Sequence, residues 1–187
     1  IGSIFALLSG YLGGWVDMAI MRLTDIVMSL PFLVIALNIA AIVGPGKHNL
    51  ILIIGLIGWS AYARILRGEV LRLKESYFVR LAIVAGCSKT RIMTRHIFPN
   101  IVNTLVILAT LNLGVVIIAE ASLSFLGLGI PPPTPAWGSM ISDGRSYLGL
   151  AWWVSTIPGF ALSLVVLSSN LLGDWLRVRL DPKFRQL

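Results

Sequence analysis

An all-α bundle of membrane-spanning helices is the fold that this 187-residue sequence predicts, from its composition, its apolar segment lengths and its charge placement. Hydrophobic residues make up 57% of the chain and charged residues 12%, against roughly 45–50% and about 25% in ordinary soluble domains. A soluble domain of this size cannot keep so much apolar surface away from water, so part of its solvent must be lipid. We interpret residues 1–187 as one transmembrane domain.

Five apolar segments of about spanning length are expected to form helices. Residues 1–12 form the end of the first, and because the chain begins abruptly inside this segment we expect an N-terminal truncation. Residues 18–43 form the second, with a kink at Pro31 and a stop at Gly44–Gly46. A short polar turn at Lys47–Asn49 precedes the third.

The third span is expected from Leu50 to Leu66, followed by an amphipathic extension. Residues 100–123 form the fourth, which the proline run at 131–135 must end. The segment 136–153 combines Trp and Tyr with Gly and Ser, which suits an interfacial helix or a re-entrant turn. Residues 154–172 form the fifth span.

Basic residues cluster in two places and predict the orientation. Eight lie in one segment that begins at the end of the third span, at Arg64, Arg67, Arg72, Lys74, Arg80, Lys89, Arg91 and Arg95. Four more lie near the C-terminus, at Arg177, Arg179, Lys183 and Arg185. Two expected spans separate the clusters, so both can lie on one side, which the positive-inside rule makes the cytoplasm. This placement does not indicate a nucleic-acid-binding face.

Motifs for chemistry are absent from the sequence. It has no Gly-x-x-x-x-Gly-Lys-Ser/Thr phosphate loop, so we expect no ATP hydrolysis by this chain. It has no His-Glu-x-x-His or Gly-x-Ser-x-Gly, which argues against a membrane hydrolase. The single Cys87 cannot form an internal disulfide, and His48 and His96 lack a second metal ligand at helical spacing. We therefore expect no catalytic residue, metal or cofactor on this chain.

A basic, helix-prone island at residues 76–98 separates the third and fourth spans. Ser76 can cap a short helix, and Gly86 permits the left-handed conformation that ends it. The apolar face of that helix is predicted from helical spacing to contain Tyr77, Leu81, Ala82 and Ala85. Ser88 can cap a second helix, which Pro99 closes. Its residues recurring at helical intervals are Ile92, Met93, His96 and Ile97.

The pattern of the island leaves two interpretations open. An apolar surface flanked by cations suits a groove on a soluble partner. A basic cytoplasmic loop held to anionic lipid headgroups explains the same residues.

Carboxylates near apolar spans are costly and are often functional. Glu120 lies toward the outer end of the fourth span, and Asn112, eight residues earlier, falls near the same helical face. Together they could line a wet passage for a substrate amine or cation. The equal alternative is that Glu120 hydrogen-bonds the Gly- and Ser-rich turn after it. For Asp25, pairing with Arg22 or with a neighbouring helix is favoured over a substrate role.

Motifs along nearly the whole chain resemble those of bacterial ABC-transporter permeases of the peptide/nickel branch. They are Tyr11-x-Gly-Gly-x-x-Asp17, Met21-Arg22-x-x-Asp25, Ser29-x-Pro31, Tyr62-Ala-Arg64, Arg67-Gly68-x-Val70, Arg95-His96-x-x-Pro99-Asn100, Glu120-Ala-x-Leu-Ser-Phe-Leu-Gly-Leu-Gly129, Pro132-Pro-Thr-Pro-x-Trp-Gly138 and Asn170-x-x-Gly-Asp174. The island resembles the family's EAA loop, Glu-Ala-Ala-x-x-x-Gly with a later proline. Ala82, Gly86 and Pro99 match it, whereas Arg80 and Leu81 replace the Glu and the first Ala.

The resemblance implies a type I ABC importer permease in which residues 76–99 are cytoplasmic coupling helices. The implied ATPase-coupling residues are Arg80, Leu81, Ala82, Gly86, Ser88, Ile92, His96 and Pro99. The implied partners are ATP-binding-cassette subunits that carry ATP and Mg²⁺, a second homologous permease in a heterodimer, and an external substrate-binding protein. Family members also have an upstream helix and external segment.

The implied cargo is di- or oligopeptides, with a nickel complex as the alternative. The implied location is the bacterial or archaeal inner membrane, with a cytoplasmic C-terminus. A secondary transporter or channel is the alternative of another class. Such proteins typically show inverted repeats and paired broken helices, which the sequence does not.

Overall fold

The computed structural model describes residues 1–180, and every regular element in that range is helical. The α-helices are α1 (Gly2–Leu12), α2 (Gly14–Met28), α3 (Phe32–Val43), α4 (Lys47–Lys74), α5 (Tyr77–Val84), the short α6 (Lys89–Arg91), α7 (Phe98–Phe125), α8 (Trp137–Gly144) and α9 (Trp153–Leu180). A π-helical turn, Ile92–Ile97, joins α6 to α7, and a 3₁₀ turn, Arg145–Tyr147, follows α8. Residues 1–30 and 58–108 belong to one compact unit, unit 1, and residues 31–57 and 109–179 to another, unit 2.

Three helical stretches of the described chain are long and apolar enough to cross a membrane. They are Lys47–Lys74, Lys89–Phe125 and Trp153–Arg179. The pair α2 and α3 adds a fourth if it is counted as one broken span, and α1 is a shorter apolar helix. The five predicted apolar segments are therefore helical, and three or four of them have spanning length.

The second predicted span, residues 18–43, consists of two helices instead of one kinked helix. Helix α2 already begins at Gly14 and ends at Met28, and α3 begins at Phe32, directly after Pro31. Proline has no N–H to donate and disfavours helical geometry in the residue before it. At the start of a helix the backbone N–H groups have no intrahelical acceptor, so a proline there loses no hydrogen bond.

Helix α4 is longer at both ends than the third predicted span. The predicted polar turn at Lys47–Asn49 is its first turn, and the helix continues past Leu66 to Lys74. The Asn49 side-chain amide donates to the Gly44 carbonyl at 3.2 Å, so a polar residue inside α4 satisfies a carbonyl at the end of α3.

Helix α9 extends the fifth predicted span, since it runs beyond residue 172 and includes Arg177 and Arg179. Lys183 and Arg185, the rest of the predicted basic cluster, lie outside the described residues. The segment 136–153 contains the short α8 and the 3₁₀ turn and no spanning helix.

The core of unit 1 joins five helical elements. Its buried members are Ala6 and Tyr11 of α1, Leu66 and Val70 of α4, Val79 and Ala82 of α5, Ile92 and Ile97 of the π-turn, and Ile101 of α7. Burying one Leu or Ile side chain contributes about 1.5–3 kcal/mol. Helix α5 is thereby held against α1, α4 and the beginning of α7.

Two ion pairs connect α2 to α4 within unit 1. The Arg67 guanidinium donates to Asp17 through two bonds, Nε to Oδ1 at 2.5 Å and Nη2 to Oδ2 at 2.6 Å. Arg64 donates to Asp25 nearer the other end of α2. The predicted pairing of Asp25 with a neighbouring helix is confirmed, and its partner is Arg64, not the alternative Arg22.

Unit 2 contains α3, α8 and α9 together with parts of α4 and α7. Asn170 of α9 lies against Gly114 of α7, and Gly173 of α9 lies against Leu111. Most apolar side chains of α9 remain exposed, including Ile157, Phe160 and Leu171.

The Arg67–Asp17 pair should contribute more to stability than the Arg64–Asp25 pair. Its side chains are 30% and 21% exposed, against 46% and 55% in the second pair, so solvent screens it less. Asp17→Asn should lower the free energy of unfolding by about 2 kcal/mol, because a half-buried guanidinium loses a bidentate charged partner. Asp25→Asn should lower it by less than about 1 kcal/mol. SDS titration in detergent micelles, followed by circular dichroism, measures both, and equal losses would contradict this ranking.

Candidate functional site

Helix α5 begins and ends where the sequence predicts. It starts after Ser76, although the Ser76 hydroxyl donates to the Leu73 carbonyl at 2.5 Å and does not cap the helix. Gly86 ends it with φ +75°, a left-handed conformation that strains any residue with a Cβ. The Cys87 N–H then donates to the Ala82 carbonyl at 3.1 Å, which satisfies an end of the helix.

The outer face of α5 is an apolar stripe. Tyr77, Leu81 and Val84 recur at positions i, i+4 and i+7 and are 77%, 51% and 86% exposed. We call these three residues the α5 stripe. The predicted face also contained Ala82, and that assignment was wrong: Ala82 lies three residues after Val79 and shares its buried face.

The second helix of the island does not close at Pro99. It runs through the π-turn into α7, so residues 89–125 form one continuous helical stretch. Proline in a regular helix removes one hydrogen bond and clashes with the carbonyl four residues earlier. The wider π-turn lies directly before this position, with the Phe98 N–H donating to the Met93 carbonyl five residues back. The predicted cap is present, as Ser88 Oγ accepts from the Arg91 N–H at 3.4 Å.

The π-turn also brings its isoleucines to the same face. Ile92 and Ile97 are five residues apart, yet both are buried in the core of unit 1 with Ile101. His96 is half-buried, and its carbonyl accepts from the Asn100 side chain at 2.6 Å. Of the predicted coupling residues, Ala82 and Ile92 are buried in the core of unit 1 and attach the island to it, whereas Leu81 is exposed.

Exposed cations lie on α5 and on the helical segment that follows it. Arg80, at the position of the family's Glu, is exposed and donates to Glu75 at 2.8 Å. Lys89, Arg91 and Arg95 are exposed on the following helical segment. The island thus presents an exposed apolar stripe and several exposed cations.

Glu120 belongs to a separate cluster in unit 2. The Ser124 hydroxyl donates to Glu120 Oε1 at 2.6 Å and accepts from the Ile130 N–H at 3.2 Å. Glu120 therefore hydrogen-bonds the Ser- and Gly-rich segment that follows it, as one of the two predicted roles requires, and Ser124, in the last turn of α7, connects it to the turn after the helix. The Gly46 N–H also donates to the Gly129 carbonyl at 3.0 Å, which ties the same turn to the loop before α4.

Glu120 also lines a pocket of about 340 Å³. The other lining residues are Ile130, Pro135, Ala136, Trp137 and Met140. The start of α8 packs directly against α7 here. The contact is so close that a Cβ at Gly138 would overlap the Ala121 carbonyl. Asn112 is half-buried two turns earlier on α7 and is not a lining residue.

Sequence reasoning missed Trp137 and Met140 as partners of Glu120. Their only signal was the proline run before them, which forces the chain to turn back after α7. Among residues 1–180, no three His, Cys, Asp or Glu side chains come together as a metal site.

Comparisons with known proteins agree along almost the whole chain. The sequence profile of the family described as "Binding-protein-dependent transport system inner membrane component" matches residues 2–186. The dipeptide transport system permease protein DppC of Alkalihalophilus pseudofirmus is 40% identical over 184 residues, 98% of this chain and 60% of the relative. The glutathione transport system permease protein GsiD is 40% identical over 185 residues in Pectobacterium atrosepticum, covering 99% of this chain and 62% of the relative. GsiD of Escherichia coli O157:H7 is 42% identical over 185 residues, which cover 99% of this chain and 61% of the relative. The chain spans about three fifths of the length of these relatives.

Proposed function

Because the chain belongs to the family of binding-protein-dependent transport system inner membrane components, we propose that it is the translocating subunit of an ATP-driven importer. The exposed α5 stripe on a buried anchor is the observation that carries this proposal. The cargo is a di- or oligopeptide, which the names of the dipeptide and glutathione relatives support over a nickel complex. The location is a bacterial or archaeal inner membrane.

In this proposal the α5 stripe enters a groove on an ATP-binding-cassette subunit. ATP and Mg²⁺ are bound and used by that subunit, and this chain contributes no catalytic group. A groove with an apolar floor and an acidic rim complements the stripe and the exposed cations of the island. Gly86 and Ser88 set the direction of the chain leaving α5, and the π-turn before Pro99 returns it to the core.

Force on α5 would reach the membrane helices through the core of unit 1. Val79 and Ala82 of α5 pack with α1, α4 and α7, so movement of α5 displaces the ends of those helices as a rigid body. Helices α4 and α7 each contain residues of both units, so they carry that displacement along the chain.

The remaining partners follow from family membership and exposed surface. The apolar side chains of α9 that remain exposed suit lipid and a second, homologous permease, which we propose forms a heterodimer with this chain. An external binding protein delivers substrate to the side opposite α5. Asn112 and Glu120 line the route, and the C-terminus is cytoplasmic.

The α5 stripe provides a matched pair of substitutions. Leu81 is 51% exposed on the stripe, and Ile83 is 52% exposed on a different face of the same helix. Leu81→Asp should weaken association with the ATPase subunit at least tenfold, because it buries an unpaired charge in an apolar groove. Ile83→Asp should change it little. Co-purification and titration of the ATPase onto the reconstituted permease measure both.

Equal losses for the two variants, or none for Leu81→Asp, would exclude docking through the stripe. Retained ATPase binding together with weaker binding to anionic vesicles would instead indicate the lipid-held loop that the sequence left open.

Orientation is tested with reporter fusions. Fusions after Gly46 and near Ser142 should report the outer side, and fusions near Lys89 and after Lys183 the cytoplasm, because basic segments are retained inside. One inverted result among correctly inserted fusions would contradict the assignment.

The two roles of Glu120 have different consequences on mutation. If it lines the route, Glu120→Gln should reduce uptake of positively charged substrates more than uptake of neutral ones, because only the charge is removed. Asn112→Ala should then alter transport without affecting assembly. Uptake and melting temperature are measured on the same reconstituted protein. Lower stability with unchanged transport per molecule would leave Glu120 as a brace for the turn.

A further inference from the structure

We propose that the Glu120 pocket is a binding site for a primary ammonium group on an apolar body, as presented by the N-terminal residue of a peptide. The site comprises Glu120 as the anion, Ser124 as its positioning residue, and Trp137, Met140 and Ile130 as the apolar wall. Assigning the ammonium to the transported peptide rests on the proposed function. The preference of the pocket for an ammonium group does not depend on that function.

The charge of the pocket favours a cation. In the described part of the chain, no Lys or Arg forms an ion pair with Glu120. The Ser124 hydroxyl accepts a hydrogen bond from the Ile130 N–H and donates its own proton to Glu120 Oε1. Ser124 therefore engages only one of the two carboxylate oxygens. Oε2 is then available to accept a hydrogen bond from a bound ammonium, the stronger charge-assisted kind.

The wall of the pocket selects an ammonium on an apolar group. An indole attracts cations more strongly than any other aromatic side chain, and Trp137 lines the same pocket as Glu120. Met140 and Ile130 add surface that can contact apolar side chains of different shapes. A volume of about 340 Å³ is near the lower limit for small-molecule sites, so it fits one residue of a peptide and not a whole oligopeptide.

The pocket is held in shape before any ligand arrives. The Ser124–Ile130 bond fixes the turn on one side, and the close contact of Gly138 with Ala121 fixes the start of α8 on the other. The Gly46–Gly129 bond attaches the turn to the α3–α4 loop. Little ordering is therefore needed on binding, which favours affinity for a small group.

The test uses the full-length permease in the assembled transporter, in nanodiscs of phosphatidylcholine and phosphatidylglycerol, which lack primary ammonium groups. Cys87, the one cysteine of these 187 residues, is replaced by Cys87→Ser, any cysteine elsewhere in the transporter is replaced as well, and Met140→Cys provides a thiol at the pocket. The rate of maleimide labelling is measured with phenylalanyl-alaninamide and with its N-acetyl derivative. The two probes share the same dipeptide body, and acetylation replaces the ammonium with a neutral, larger amide.

The free dipeptide amide should slow labelling, and the acetylated one should do so about tenfold less effectively, because it lacks the charge-assisted bond. Glu120→Gln keeps an oxygen for Ser124 and should remove this difference. Asp143→Asn, which removes an exposed carboxylate of α8 outside the pocket, should keep it. Trp137→Leu should weaken protection by the free dipeptide amide, and Trp152→Leu, which alters an exposed tryptophan outside the lining, should not.

Equal protection by the two probes in the parent protein would overturn the proposal without need of any variant. A difference that survives Glu120→Gln would overturn it as well. If labelling without any probe is slower in nanodiscs that contain phosphatidylethanolamine than in nanodiscs without it, the lipid headgroup occupies the site. That result would overturn the assignment of the bound ammonium to a peptide. The readout requires no ATP hydrolysis, so it can succeed or fail independently of coupling through α5.

Discussion

Burial of one face of α5 is the constraint on which the rest of unit 1 depends. Val79 and Ala82 can leave solvent only by packing on α1, α4 and the π-turn, and this packing leaves Tyr77, Leu81 and Val84 on the opposite face exposed. An eight-residue helix is too short to be stable alone, so its position is determined by this core. The same contacts that fold the island therefore give it an outward apolar surface and a rigid connection to the longer helices.

Local features of the island could be predicted from the sequence, and features set by packing could not. The helix boundaries at Ser76, Gly86 and Ser88 depend on the conformational preferences of single residues, which the sequence displays. The π-turn does not follow from any single residue. Pro99 is a helix breaker by its own chemistry, but Ile92 and Ile97 are buried together only when the turn widens, and that burial outweighs the local preference.

The Glu120 cluster shows the same division. A hydrogen bond between Glu120 and the Gly- and Ser-rich segment after it was one of the two predicted roles, and Ser124 in the last turn of α7 donates that bond. The pocket needed Trp137 and Met140, which come within reach only because the chain turns back after the prolines. Bracing the turn and lining the pocket are compatible, because Ser124 engages one carboxylate oxygen and the other remains available. Asn112, predicted from helical spacing alone, lies on the same helix but outside this pocket.

The most direct test of coupling through α5 is binding-protein-stimulated ATP hydrolysis by the reconstituted transporter with Gly86→Val. A Cβ at Gly86 would have no atom within 4 Å, so the substitution causes no steric overlap. It acts through the backbone, because a β-branched residue does not tolerate the φ of +75° at this position. Gly68→Val is the matched control, since it is equally uncrowded but lies in regular helix α4. Our account predicts that Gly86→Val inserts and assembles but loses the stimulation, while Gly68→Val keeps it. Full stimulation in an assembled Gly86→Val transporter would contradict it.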